Sequence, residues 1–310
     1  MWFVFALLTM LMWGTADLFY KKGANENERY SHLKTSIMVG LVMGAHAIFT
    51  LIFSDIGYDF RNLYVYLPVS AMYILSMTVG YFGLRYLDLS ISSPIQNTSG
   101  IVVTLLCFVF LGQRIEGIPT WIAMLLICGG VVALGFLEKM GDKELIEKGE
   151  RKYRIGFVAF FMPIFYCIID ALGTFLDAYY LDDFTTTPLL GVTEENFEDV
   201  ANISYELTFF AVAIILFIFV RFIKKEKILP REQGPRLGAA VFETAGQFVY
   251  VRAMSGNGII AAPMIAAYSI VSIILSRIFL KEKLPLKQYI AVAAIIVGII
   301  ILGVLEGMAE

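Results

Sequence analysis

Three carboxylates lie inside apolar runs of this chain, each with polar or aromatic neighbours at helical spacing. Asp170 has Tyr166 four residues before it and Thr174 four after, and Asp177 continues that face. Residues three and four apart share one face of a helix, so these side chains form a polar stripe. Asp17 has Trp13 at i−4 and Lys21 at i+4, and Glu243 has Gln247 at i+4 in the mainly apolar stretch VFETAGQFVY. An ionised carboxylate at the centre of a membrane helix costs about 2.5–3.5 kcal/mol on insertion scales. It persists where it is paired, hydrated or used. Burial disfavours the charged form, so such a group can exchange a proton for a cation. The structural alternatives are a neutral or helix-paired carboxyl at Asp170, an interfacial pair with Lys21 at Asp17, and a helix–helix hydrogen bond at Glu243.

Other side chains add to this set. Ser93, Asn97, Gly100 and Thr104 form a second stripe, suited to lining a cavity or to close helix contact, and Tyr268 with Ser272 forms a shorter one. Trp13, Tyr166 and Tyr268 offer aromatic faces to a cation. The predicted substrate- or proton-binding residues are thus Asp170, Glu243, Asp17, Trp13, Tyr166, Asn97, Gln247 and Tyr268. Arg252 reads as a snorkelling arginine, a partner for Glu243 or an anchor for an anionic group. His46 is a packed histidine or a proton relay. Gly40 and Gly44, four apart, make a close-packing face that suits a homodimer. Asn202-Ile203-Ser204 matches a glycosylation sequon.

The elements that position these groups follow from composition. The chain has 310 residues, of which 58% are hydrophobic and 16% charged, with a net charge of −3 and a mean hydropathy of +0.75. Soluble domains are about 45–50% apolar and 25% charged, so the chain is an integral membrane protein. The charge balance excludes a nucleic-acid binder. Cys107, Cys128 and Cys167 sit in apolar runs without a CxxC pair, and the only histidines are His32 and His46. Neither a zinc site nor a disulfide framework is expected. No Walker A motif, Rossmann fingerprint, HExxH or GxSxG occurs, so no cofactor and no enzyme activity is predicted.

A bilayer core of roughly 30 Å needs about 20 residues of helix. Ten segments meet this, near 2–22, 35–53, 65–85, 92–111, 118–137, 155–181, 204–222, 237–254, 258–280 and 287–306. The first has no basic leader and reads as a mature span, not a cleaved signal. Residues 138–154 form a charged linker, and 182–203 an acidic loop without Lys or Arg. Pro163 predicts a kink in the sixth helix, with a freed carbonyl near Ala159.

A shift of 169 residues lays Pro94 on Pro263, Ile101-Val102 on Ile270-Val271, Phe110-Leu111 on Phe279-Leu280, Gln113-Arg114 on Glu282-Lys283 and Gly129 on Gly298. A shift of 153 lays Trp13 on Tyr166 and Asp17 on Asp170. The fold class predicted is all-α, with ten transmembrane helices as two inverted five-helix repeats, residues 1–152 and 153–310. Five helices per half force the copies to insert in opposite senses. Of the 24 Lys and Arg, 21 fall in or beside the loops between helices 1–2, 3–4, 5–6, 7–8 and 9–10. The positive-inside rule places that face in the cytoplasm and both termini outside.

These features resemble the drug/metabolite transporter superfamily, specifically its EamA-type ten-helix members. The residues that carry the resemblance are Met12-Trp13-Gly14, Pro94, Leu111-Gly112-Gln113-Arg114, Pro263, Leu280-Lys281-Glu282-Lys283, Gly129-Gly130 and Gly298. The resemblance implies a secondary transporter, often an exporter of amino acids or related compounds, with a cavity between the halves. Family members usually keep both termini in the cytoplasm, opposite to the charge count here. The expected solute is a small cationic or zwitterionic metabolite, the expected coupling ion a proton, and the expected surroundings the lipid of the cell membrane. The other readings are a passive facilitator and a membrane-embedded lipid-handling enzyme.

Overall fold

The computed structural model describes the backbone of residues 1–309 apart from 26, 88, 148–155 and 282–285, and no side chains at 90, 91, 135, 136, 138–147, 156–160, 286 and 309. Among the described residues the regular structure is entirely helical. The α-helices are α1 (Trp2–Gly23), α2 (Ser31–Phe53), α3 (Asn62–Val65), α4 (Leu67–Gly83), α5 (Leu89–Gln96), α6 (Ser99–Leu106), α7 (Ile118–Glu147), α8 (Gly156–Tyr180), α9 (Phe197–Ile218), α10 (Gly234–Met254), α11 (Gly258–Ala266), α12 (Ser269–Leu275) and α13 (Leu286–Ala309). Among the described residues, seven helical stretches are long and apolar enough to cross a membrane, and Leu67–Gly83 and Ile118–Leu134 are shorter apolar helices. With α10, which buries Arg236, Glu243, Thr244 and Gln247 inside the protein, these make ten spans. The chain is a multi-pass integral membrane protein.

Polar residues inside the spans are largely satisfied by their own helix. Thr9, Thr15, Thr35, Thr78, Thr208 and Thr244 each donate to the carbonyl four residues before, so the hydroxyl needs no water.

The fourth and ninth spans are broken in matching ways. The turn from α5 to α6 falls at Asn97-Thr98, and the turn from α11 to α12 at Ala267-Tyr268. Each break follows a proline inside the helix, Pro94 or Pro263. Both spans then end in a π-helical turn, Cys107–Leu111 and Ser276–Leu280. A left-handed residue follows each, Gly112 at φ 68° and Lys281 at φ 59°. The π-turns and their caps are offset by the same 169 residues as the sequence repeat. Glu282 and Lys283, the rest of that alignment, lie outside the described residues. Proline also leaves the carbonyl four residues before it without its helical donor. For Pro263 that carbonyl is Ile259, and Thr104 Oγ1 of α6 donates to it at 3.1 Å.

Interhelical pairing has the same twofold character. α1 packs on α10 as α8 packs on α4, while α2 pairs with α9 and α7 with α13. A Cβ on Gly40 would come within 2.3 Å of the Phe209 carbonyl oxygen, and one on Gly44 within 2.3 Å of the Phe210 ring. The Gly40–Gly44 face therefore lets α2 meet α9 inside one chain and is not free for a homodimer.

Several boundaries differ from the sequence reading. α2 begins at Ser31 because Ser31 and Lys34 are buried by polar contacts to the neighbouring loops. The charged segment 138–154 is not all linker: α7 continues to Glu147, and 148–154 lie outside the described residues. The acidic loop is shorter than expected, since α9 starts at Phe197 with Glu198 and Asp199 in its first turn, where carboxylates favour the helix dipole. α8 runs through Pro163 without interruption, so the broken helices are the fourth and ninth spans, not the sixth.

The α2–α9 seam holds a carboxylate that the sequence reading passed over. Glu206 is fully buried, His46 Nδ1 lies 2.8 and 2.9 Å from its two oxygens, and Asn202 Nδ2 donates to it at 3.2 Å. Asn202 is buried in this arrangement, so the sequon is not an open glycosylation site. Removing one partner of a buried pair strands the other. His46→Ala leaves the buried Glu206 carboxyl short of a partner and should lower stability by about 1–3 kcal/mol, and adding Glu206→Gln should recover much of it. Thermal melts of the single and double variants in detergent check this.

Candidate functional site

A narrow cavity lies between the halves, and the centre of a water molecule can move through about 70 Å³ of it. One water needs roughly 10–15 Å³ on that measure, so the cavity admits a few waters or a small solute. Asp17 of α1, Asp170 of α8 and Glu243 of α10 all face it. So do seven tyrosines (Tyr20, Tyr73, Tyr81, Tyr166, Tyr205, Tyr250 and Tyr268) and Trp13. Among the described residues, its lining contains no Lys, Arg or His.

Each carboxylate is held by hydroxyls. Ser93 of α5 and Ser272 of α12 both donate to Asp17 Oδ2 at 2.7 Å. These two serines belong to the two broken spans, so one aspartate ties α1 to both. Ser99, at the start of α6, donates to Asp170 Oδ2 at 2.8 Å. Tyr20 donates to Glu243 Oε2 at 3.1 Å. Such bonds supply part of the lost hydration, but none of these donors carries a positive charge. Coulomb attraction grows as the dielectric falls, so the cavity favours whatever positive species enters it.

The aromatic walls are ordered by packing. The Trp13 ring lies 4.9 Å from the Tyr250 ring and 6.0 Å edge-on from Tyr268. Its indole Nε1 donates to the Glu243 carbonyl at 3.4 Å. A Cβ on Gly246 would lie 2.4 Å from the indole, so the glycine makes room for that ring. Tyr73 donates to Thr174 Oγ1 at 2.9 Å and meets the Tyr250 hydroxyl at 2.8 Å.

Of the residues singled out in the sequence, Asp17, Asp170, Glu243, Trp13, Tyr166, Asn97 and Tyr268 all line this cavity. Gln247 does not: it is buried one turn beyond Glu243, and its Nε2 has no hydrogen-bond partner. The fourth-span stripe divides. Ser93 and Asn97 serve the site, whereas Gly100 also abuts Pro263 and Ala266 and Thr104 bonds across to α11. Asp177 lies outside the lining, fully buried, with the Tyr66 hydroxyl donating to it. Arg252 donates to Asp199 at 2.7 Å and to the Phe248 carbonyl, so it is not a partner of Glu243. Lys21 donates to the Leu84 and Leu87 carbonyls at 3.0 and 2.5 Å, while Asp17 takes the two serines.

Comparison with known proteins fits this arrangement. The sequence model of the EamA-like transporter family matches residues 1–136 and 192–304. The chain belongs to the EamA-like transporter family. Members of that family are membrane transporters of small solutes. A crystal structure described only as that of a protein, 13% identical, matches with a TM-score of 0.65 over 99% of this chain and 98% of its own. It is one of 28 matching chains of solved structures, and at that identity it reports the fold alone. No curated protein matches the sequence.

With Trp2 and Trp121 replaced by Phe, the remaining emission comes from Trp13. Titration with tetramethylammonium should shift or quench that emission, and a neutral sugar should leave it unchanged. Trp13→Ala should weaken cation binding about three- to thirtyfold, the worth of one cation–π contact.

Proposed function

We propose that this EamA-like protein is a proton-coupled secondary transporter of a small cationic or zwitterionic metabolite, such as an amine or amino acid. The observation that carries this reading is the set of three cavity carboxylates held by neutral hydroxyls and walled by aromatic rings. A carboxylate in such a place accepts a proton when the solute leaves and loses it when the cation arrives. Proton and solute then compete for the same oxygens and move in opposite senses. Asp170 and Glu243 are the exchanging groups, and Asp17 adds a third while joining α1 to the broken spans. Aromatic faces supply the remaining attraction for an ammonium group.

The two repeat units are residues 1–152 and 153–310, and they rock about the central site to give alternating access. The paired breaks at 97–98 and 267–268 support hinging there, because a helix interrupted at the cavity can bend without rupturing a continuous ladder of hydrogen bonds. The basic loops support a cytoplasmic position for the face opposite the termini. A proton gradient directed inward across the cell membrane would then drive export.

The test is flux in liposomes carrying an internal pH dye. An added amine or amino acid should evoke proton movement in the wild type, and Asp170→Asn should abolish that coupled movement with the fold intact. Undiminished coupled flux in Asp170→Asn would overturn the assignment. Solute equilibration without proton movement would instead identify a facilitator.

A further inference from the structure

On the face formed by the basic loops, one carboxylate between the first two spans ties their turn to α2 and α10. Glu28 lies in the turn between α1 and α2. Its two oxygens accept from Lys34 of α2 and Arg236 of α10, whose side chains are only 4% and 3% exposed. Lys34 also donates to the Lys227 carbonyl at 2.7 Å, and Arg236 to Ser31 Oγ at 2.9 Å. The same turn is gripped from the α4 side, where Arg85 donates to the Asn25 and Arg29 carbonyls at 3.1 and 3.2 Å.

This cluster lies over one end of the cavity. Lys21 donates to the Leu84 carbonyl, and Leu84, Tyr20 and Tyr81 line the cavity at that end. The opposite end is closed by a different set of contacts. There Gln113 accepts from the Ile259 amide at 2.9 Å and donates to Asp182 at 2.5 Å. One closure thus centres on a carboxylate shared by two cations, and the other on an uncharged glutamine side chain.

We infer that Glu28 is the latch of the gate on the basic-loop face, holding α2 of the first half against α10 of the second until the cavity opens to that side. This rests on the transport reading for its purpose but not for its test. Breaking the latch frees two buried cations, which reach water only if α2 and α10 separate from the turn. Burial works against charge on Glu28, but the hydrogen bonds and positive charges of Lys34 and Arg236 outweigh it and hold the carboxyl below its ordinary 4.5. A depressed carboxyl contributes its stabilisation above its ordinary range and loses it as pH falls through the lowered value. The latch is therefore charged and intact at neutral pH, and acid weakens it.

The test uses Asn97→Cys as a cavity reporter, with the three native cysteines replaced, in vesicles of known orientation. A membrane-impermeant thiol reagent is applied to the basic-loop face. Glu28→Gln should raise the labelling rate about tenfold, the scale of one lost charge-assisted hydrogen bond. Lys34→Gln removes the other side of the latch, should act in the same direction, and decides the matter if Glu28→Gln does not fold. Labelling within twofold of the unlatched protein's parent in a folded variant would overturn the gate. Faster labelling, where the protein that retains Asn97 moves no amine or amino acid, would keep the gate and reject the proposed transport. Unchanged labelling alongside intact coupled transport would reject the gate alone.

Discussion

Everything in this fold is arranged around three carboxylates facing one apolar, aromatic cavity with no cationic side chain among its described lining residues. In water their mutual repulsion would be slight. Within a bilayer it is not, because the field between charges is poorly screened and the groups have lost most of their hydration. The protein supplies hydroxyls from Ser93, Ser272, Ser99 and Tyr20, which orient the carboxyl oxygens but leave their charge uncompensated. On the proposed reading, a proton or a cation completes the site. That incompleteness is what a transporter requires, since a fully paired carboxylate would have no reason to bind and release anything.

The helix breaks follow from the same requirement. A continuous helix presents side chains to a cavity, and an interrupted one also brings backbone turns to it. Pro94 and Pro263 weaken the ladders just before those turns, and the π-turns at 107–111 and 276–280 close each span in the same register. Asp17 then binds hydroxyls from both broken spans. Movement of either span therefore changes the partners of a cavity carboxylate, which is the link the proposed mechanism needs between solute binding and the relative position of the halves.

Much of this was legible in the sequence, for reasons specific to each residue. A carboxylate in an apolar run has few benign explanations, which is why Asp17, Asp170 and Glu243 stood out and fall on the cavity. Proline and the turn residues carry more information than Leu or Ile, so the 169-residue repeat was visible through Pro94 and Pro263, and the left-handed caps at Gly112 and Lys281 obey it. Tyrosines were harder to place. Tyr73, Tyr205 and Tyr250 suit an interfacial belt as well as a cavity wall, and only tertiary contact distinguishes the two. Gln247 misled because helical spacing from Glu243 gives a shared face but not a shared depth. Glu206 had a signal in Asn202 at i−4, but its partner His46 lies on another helix. Glu28 sits in the polar run NENERY, where nothing local marks it from its neighbours; its role comes from Lys34 and Arg236 converging from two helices.

The central claim is that proton and solute share the cavity carboxylates. The most direct measurement is proton release on binding, by titrating tetramethylammonium into the purified protein in weakly buffered detergent near neutral pH. The account predicts release of about one proton per cation bound, and loss of that release when Asp170 and Glu243 are both replaced by their amides. Saturable binding of the cation with no proton released would contradict it.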